Sequence, residues 1–393
     1  MSRILIVIPS LKGTGGSEKL VGSLSRLLST SHEVYQASFD SLGSSRHNGE
    51  GVPYFELGPI PNFPFYLRWI SYGILAMRLS RIKKKLRIDL TISTLWRADL
   101  ISVLSLGKDK KVSLGVINIR DNPTNRLMIV FQLLVGYIYR RFDRVLAISR
   151  PLALELKELF ALSGQQLGTF RNFVSKPKPN PVWGQDKINR FVFCGRMVHE
   201  KNVEGLLFAW SEFSNEEKGV QLIILGDGPL DAESRSLAKS LNLRSGVDPF
   251  DKHASVLFLG AVKRPEDFMV GARAFVLSSR HEGVPTVLLI ALSLGLPILS
   301  ADAHSGGVRD LLGGSDQDYV KTITPVASGL LLPIPDIYDP ETLLLWKRAF
   351  QIANSDNVQR AKWMRGAEEL AHLYSADSVS KFWATEIESL CKR

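Results

Sequence analysis

The feature that most constrains this 393-residue chain is a strand–helix alternation that runs twice and is interrupted once by proline. Strand-like apolar runs fall at residues 4–8, 32–38, 90–93, 112–117 and 144–147, with helical stretches between them. A second series, at 191–194, 221–225, 256–259, 274–277 and 297–299, follows KPKPNPVWGQ (176–185), whose three prolines mark a linker. Strands alternating with helices require a parallel sheet covered on both faces. Two such halves on a Pro-rich hinge predict two facing doubly wound α/β domains, since one core rarely serves more than about 300 residues.

Composition narrows the class. A 45% apolar, 22% charged chain is globular, neither disordered nor fibrous. Two cysteines, Cys194 and Cys391, cannot make a disulfide framework or a tetrahedral thiolate site, which points to a reducing cytoplasm. The opening MSRILIVIPS is too short for a signal peptide, and no apolar run reaches the ~18 residues of a membrane span. The net charge of +10 is uneven: residues 1–175 hold 24 basic against 12 acidic residues, the remainder 25 against 27. The first half therefore faces something anionic. Nucleic acid is the weaker candidate, because no nucleic-acid motif accompanies the charge.

In doubly wound sheets the ligand crevice lies at the carboxyl ends of the strands. After strand 191–194 come Gly195-Arg196 and Glu200-Lys201-Asn202, then a helix near Val203. Two cations and a helix start at one strand end make an anion site. Gly226-Asp227-Gly228-Pro229 after 221–225 reads as a structural turn. After 274–277 comes SSRHEGVPT (278–286) and a helix over 287–294, setting the Glu282 carboxylate beside outward-facing N–H groups.

At these residues the chain resembles the family-4 retaining glycosyltransferases. The likeness rests on GRMVHEKNVEGLL, LGDGPL and SSRHEGVPTVLLIALSLGLPILSAD in order, the opening IPSLKGTGGSEKLVGSLSRLL, and AISRPLALEL followed by RNFV. It covers nearly the whole chain. It implies the GT-B fold of two Rossmann-like domains, an acceptor-binding one at 1–175 and a nucleotide-sugar donor-binding one at 186–376. A final helix, 377–393, would cross back onto the first domain, anchored by Phe382 and Trp383. By the same resemblance Arg196 and Lys201 bind the donor diphosphate and Glu282 contacts donor-sugar hydroxyls. Gly283, Val284, Pro285 and Thr286 offer N–H groups to phosphate and sugar, and Gly15 and Gly16 let the first loop approach the donor.

One position departs from the pattern. The second acid of the E-x7-E motif should stand at 290, where this chain has Ile290. An isoleucine cannot accept the hydrogen bonds of a nucleotide ribose, a loss of about 1–3 kcal/mol. The expected reaction is retaining sugar transfer without a metal and without a further cofactor, from a nucleotide-diphosphate sugar, a uridine diphosphate sugar by preference. The alternative is a nucleotide-sugar-binding protein with lost turnover that serves as a pathway partner. The family's N-domain histidine has no match, and Arg120-Asp121-Asn122-Pro123 occupies that loop. Asp316-Gln317-Asp318 imitates a metal-binding DxD but lacks the preceding strand, and reads as a loop. Gly306-Gly307-Val308-Arg309-Asp310 follows another strand end and is a candidate neighbour of the nucleotide.

The acceptor side is read from residues 63–87, aromatic and basic. Leu75, Leu79, Ile82 and Leu86 form one stripe, with Arg78, Arg81, Lys84 and Lys85 off it. Such a helix suits either a membrane interface or ordinary packing on the sheet. With the apolar run 127–139 and Arg140-Arg141, it predicts a protein peripheral to the inner face of the cytoplasmic membrane. Its partners would be an anionic surface and a lipid-linked saccharide acceptor in surface-polysaccharide assembly.

Overall fold

The first apolar run, RILIVI, forms β1 (Arg3–Ile8) in a computed structural model of the chain, with residues 4 to 8 wholly buried. The structure describes residues 1–11, 16–39, 51–58, 68–115, 126–184, 188–314 and 319–391, with backbone alone at 68–69 and 126–132. The chain divides into two units: Met1–Phe173 with Ala376–Arg393, and Val174–Ser375.

Unit 1 continues with α1 (Gly16–Ser29), β2 (Glu33–Ser38), β3 (Tyr54–Glu56), α2 (Arg68–Leu86), β4 (Leu90–Thr94) and α3 (Trp96–Leu104). Then come β5 (Lys110–Gly115), α4 (Arg126–Tyr139), β6 (Arg144–Ala147), α5 (Arg150–Phe160) and β7 (Leu167–Thr169). Its sheet has the order β3-β2-β1-β4-β5-β6-β7, all parallel. The period of two along β1 splits its residues between layers. Leu5 and Val7 join the core under α2, α3, α4 and α5, while Ile4, Ile6 and Ile8 pack with α1 and the final helix.

Unit 2 runs β8 (Asn189–Cys194), α6 (Val203–Ser214), β9 (Val220–Leu225), α7 (Asp231–Ser240), β10 (Ser245–Gly246), β11 (Val256–Gly260), α8 (Glu266–Met269), β12 (Ala274–Leu277) and α9 (Thr286–Ser293). It ends with β13 (Ile298–Ala301), α10 (Gly307–Leu311), β14 (Thr324–Val326), β15 (Gly329–Leu332), α11 (Pro340–Ser355) and α12 (Asn357–Leu373). The strand order is β10-β11-β9-β8-β12-β13-β15-β14, parallel except for β14. An aromatic knot of Phe191, Trp210, Phe213 and Phe350 fills its core, with ring centroids 5.2–6.0 Å apart. The last helix, α13 (Ala376–Cys391), returns to unit 1. It buries Val379, Trp383 and Ile387, with Phe382 partly covered, and pairs Glu386 with Arg144 at 2.9 Å. Truncating a tryptophan so placed costs about 3–5 kcal/mol.

Several expectations change. The stripe Leu75, Leu79, Ile82, Leu86 on α2 faces the core, with Leu75 and Leu79 fully buried, so it is no membrane face. Burying that stripe on the sheet removes it from water more completely than an interface would. Among the described α2 side chains, Ile70, Met77, Arg78, Arg81, Lys84 and Lys85 are left outside. In α4, Val135, Ile138 and Tyr139 are core, while Leu133 and Tyr137 are exposed. No described helix is long and apolar enough to cross a membrane. The proline-rich segment is docked on unit 2: the Asn180 N–H donates to Asp267 Oδ1 at 2.7 Å and the Trp183 indole to Pro249 O at 2.8 Å. Short strands at β3, β7, β10, β14 and β15 had no sequence expectation.

Candidate active site

Strand order fixes where each sheet opens. From β8 the sheet of unit 2 grows through β9 on one side and β12 on the other, so its switch point lies between β8 and β12. The segments leaving those two strands are Gly195–Asn202 and Ser278–Pro285. They meet there.

The Lys201 ammonium forms an ion pair with Glu282 Oε1. Ser279 Oγ donates to the same oxygen at 2.9 Å, and Ser278 Oγ donates to the Lys201 carbonyl at 2.9 Å. The Lys201 and Glu282 side chains keep 22% and 10% of their surface, so the pair is partly desolvated yet reachable. Main chain ties the two loops further: the Arg280 N–H donates to Glu200 O at 2.8 Å. Beneath them Asn202 sits in the left-handed region (φ 51°) and caps α6, its Oδ1 accepting from Gly205 N at 3.3 Å and from Arg280 Nη2 at 2.9 Å. Its Nδ2 donates to Pro335 O at 2.9 Å. Asparagine tolerates this conformation better than most residues. Arg196 is exposed, with no side-chain partner among the described residues. The structure thus brings Lys201 and Glu282 into contact, while Arg196 stays free on the same loop.

The other motif residues form the walls. Val284 and Pro285 are buried, and Thr286 opens α9 behind Pro285, which supplies no side-chain cap. An uncapped helix start leaves N–H groups directed outward, where an anion is favoured. Ile290 is half-buried on the same face of α9 as Thr286 and Val287, while Leu288, Leu289, Ala291 and Leu292 enter the core. The neighbouring loops need glycine for contact: a Cβ on Gly226 would lie 1.9 Å from Gly195 O, and one on Gly307 would lie 2.1 Å from Gly283 O. The first contact makes Gly226-Asp227-Gly228-Pro229 a brace for the Lys201 loop, with Met197 N–H donating to Asp227 O at 2.7 Å.

Two supports escaped the sequence reading. Ser305 Oγ donates to the Glu282 carbonyl and accepts from the Glu282 N–H at 3.2 Å, fixing the acid's backbone. Asp302, at the end of β13, is buried, and desolvation pushes its carboxyl up, against the pull of the Val320 N–H and of Arg309, 3.4 Å away. Nothing local distinguishes Ser305 from any loop serine; only the fold sets it 23 residues away in sequence against Glu282. Gly16 begins α1 in open space, whereas Gly15 lies outside the described residues, as do Arg120, Asp121 and Asp316 to Asp318.

Unit 1 has its own switch point between β1 and β4. Leaving β4, Leu95 takes φ 69°, a strained conformation for leucine that costs about 1–3 kcal/mol. It delivers Trp96, half-buried, to the strand end, with the exposed Arg97 guanidinium 5.3 Å from its ring centre. Behind them Asp99 is completely buried, accepts from Ser93 Oγ at 2.7 Å, and leaves Oδ2 without a hydrogen bond. Burial pushes its carboxyl up to about 7.

Comparison with known proteins bears on the fold and the class of activity. Residues 188–328 match the family model for glycosyl transferases group 1. The chain is 26% identical over 325 residues to the Campylobacter jejuni N-acetylgalactosamine-N,N'-diacetylbacillosaminyl-diphospho-undecaprenol 4-alpha-N-acetylgalactosaminyltransferase, covering 80% of this chain and 85% of that protein. It is 23% identical over 336 residues to the amylovoran biosynthesis glycosyltransferase AmsD of Erwinia amylovora, covering 81% and 86%. Among solved structures, the apo lipopolysaccharide outer core galactosyltransferase WaaB superposes with a TM-score of 0.70 at 18% identity, covering 98% of this chain and 99% of that one. HepE of Anabaena in complex with UDP superposes at 0.76 and 14% identity, covering 98% and 100%. The fold is GT-B.

Proposed function

We propose that this chain, a GT-B glycosyltransferase whose second unit is that of the glycosyl transferases group 1, moves a sugar from a nucleoside diphosphate onto a lipid-linked saccharide with retention of configuration. One observation carries the reading: Lys201 and Glu282, 81 residues apart, meet at the switch point of the donor-side sheet. A cation and a carboxylate held together there match the two ends of a sugar diphosphate. The ammonium and the uncapped start of α9 take the diphosphate charge, and Arg196 adds a second cation. Glu282 accepts hydrogen bonds from sugar hydroxyls.

The acceptor hydroxyl oxygen bonds to the anomeric carbon as the bond from that carbon to the diphosphate breaks. The bonding pair goes to the departing phosphate oxygen, which takes the hydroxyl proton on the same face. The protein's part is to hold the reactants together and to stabilise the leaving charge. No step in this scheme asks for a metal. A uridine diphosphate donor is favoured by the likeness to HepE, which was solved with UDP. A lipid-diphosphate acceptor in surface-polysaccharide assembly is favoured by the names of the Campylobacter and Erwinia relatives. The basic surplus of the first half fits an anionic membrane.

A second reading rests on Ile290, whose side chain cannot bind ribose: a nucleotide-sugar-binding partner without turnover. Incubation with a panel of nucleotide sugars and a membrane extract separates the two. Release of nucleoside diphosphate that Lys201→Ala abolishes supports the enzyme; tight binding with no release supports the partner. Vesicle flotation tests the membrane surface, and equal partitioning to neutral and anionic vesicles would count against it.

A further inference from the structure

The far end of unit 1 holds an unexplained cavity. It opens at the amino ends of β4 and β5, beneath the last turn of α2 and beside the end of α13, with a volume of about 1150 Å³. This is the end of the sheet opposite Trp96. Around it Arg81, Lys84, Arg87 and Lys108 make no ion pair or side-chain hydrogen bond with a described residue. A fifth cation, Lys110, pairs with Asp143 at 2.9 Å. The sixth, Lys83, is buried in the wall and donates to Asp109 Oδ2 at 2.9 Å and to Ser105 Oγ at 2.7 Å. Among the described residues two carboxylates line the space. Asp89 accepts from the Arg3 N–H at 2.9 Å, and Asp109 is held by Lys83 and Thr91.

The arrangement is costly for an empty solvent face. Four unmatched cations share one concavity and repel one another. The carbonyl end of α2 also points its negative pole here, which would favour cations singly but an anion only if several side chains outweigh it. Arg87 follows α2 in the left-handed region at φ 52°, a position where glycine or asparagine is the usual choice. The sequence places an arginine there instead. Asp109 is turned away from the opening, its Oδ1 buried against Gly107 and its Oδ2 held by Lys83 and Thr91, so its charge is spent inside the wall.

We propose that this cavity binds a phosphate-bearing anion, through Arg81, Lys84, Arg87 and Lys108, independently of the donor site in unit 2. The phosphate can belong to a soluble molecule or to an anionic lipid headgroup.

The two cysteines report on the two sites separately. Cys391 lines the cavity, and Cys194 ends β8 next to the Lys201 loop. Iodoacetamide labelling at mildly alkaline pH and low salt, followed residue by residue by mass spectrometry, reads both. Inorganic pyrophosphate is expected to slow labelling of Cys391 about fivefold once about four-fifths of the sites are occupied, because the remaining rate follows the unoccupied fraction. Lys201→Ala should keep that protection. The triple variant Arg81→Ala, Lys84→Ala, Lys108→Ala should lose it, while Lys239→Ala, Lys252→Ala, Lys362→Ala, with the same net charge and exposed sites in unit 2, should retain it. A parallel arm uses phosphatidylglycerol and phosphatidylcholine vesicles. Protection by the anionic vesicles alone, lost in the cavity triple, assigns the site to a headgroup. Thermal melts check the folding of both triples, and Lys108→Gln alone replaces the cavity triple if it melts early. No protection of Cys391 by either probe, or equal loss in both triples, overturns the proposal.

Discussion

The two units solve the same folding problem and then diverge at their ligand ends. In unit 2 the switch-point groups are bonded to each other: Lys201 to Glu282, Glu282 to Ser279, Asn202 to Arg280 and Gly205. In unit 1 the switch point offers a strained Leu95, an aromatic ring and an exposed arginine, over a buried acid that lacks a partner for one oxygen. Charge follows the same division, with the whole basic excess in the first half. A pocket that grips a diphosphate can be built from backbone N–H groups and close glycines, which leave a legible motif. A surface built from an aromatic ring and exposed cations depends on side-chain type and shape, which leave almost none.

The largest expected effect sharpens the donor half of that contrast. Lys201→Ala should lower turnover by about 10²–10³-fold, as loss of an oxyanion-stabilising group does elsewhere. The melting temperature should hold, because Ser279 still donates to Glu282. A variant with normal turnover would remove Lys201 from the chemistry.

Next comes a pH effect confined to unit 1. The Asp99 carboxyl is pushed up to about 7 by burial, from an ordinary 3.8. A group that holds its proton more tightly when folded favours the fold fully below the unfolded value, and that advantage is lost as pH rises from about 4 through about 7. Asp99→Asn should therefore stabilise the protein by about 1–3 kcal/mol above pH 7 and by nothing below pH 4. Denaturant melts at pH 4 and pH 8 check this; parallel shifts at both would show that burial of the charge is not the cause.

Asn202→Ala should cost about 2 kcal/mol, since alanine neither caps α6 nor tolerates the left-handed conformation. Because Asn202 also steers Arg280, donor KM should rise with it, measured on the folded fraction. A change in stability with KM untouched would break the link between brace and site. The smallest effect is at Ile290. Ile290→Glu should lower donor KM by about fivefold, the worth of one regained hydrogen bond of about 1 kcal/mol. An unchanged KM would mean that the nucleotide meets another part of α9.

Much of this was legible early. The doubly wound pattern reads directly from apolar runs, because buried parallel-strand cores such as FVF and LIIL are apolar on both faces. Gly195, Lys201 and Glu282 are visible because each follows a strand and precedes a helix. The α2 stripe was legible as a stripe, yet its partner was not, since an apolar face looks the same whether it will meet a sheet or a lipid. Ser305, Leu95 and Asp99 carry no local signal at all.

What the sequence determined by itself is therefore the repeat of two α/β halves, the strand-end motifs and the location of the positive charge. These depend on periodicity and on residues within a few positions of one another. Tertiary structure alone decided that Lys201 bonds directly to Glu282 and that Ser305 holds the acid's backbone. It also decided that four cations gather round one cavity. The physical reason is common to all of these: parallel strands joined by crossovers bring together residues tens to hundreds of positions apart, and their pairing is set by strand order, which no local pattern encodes.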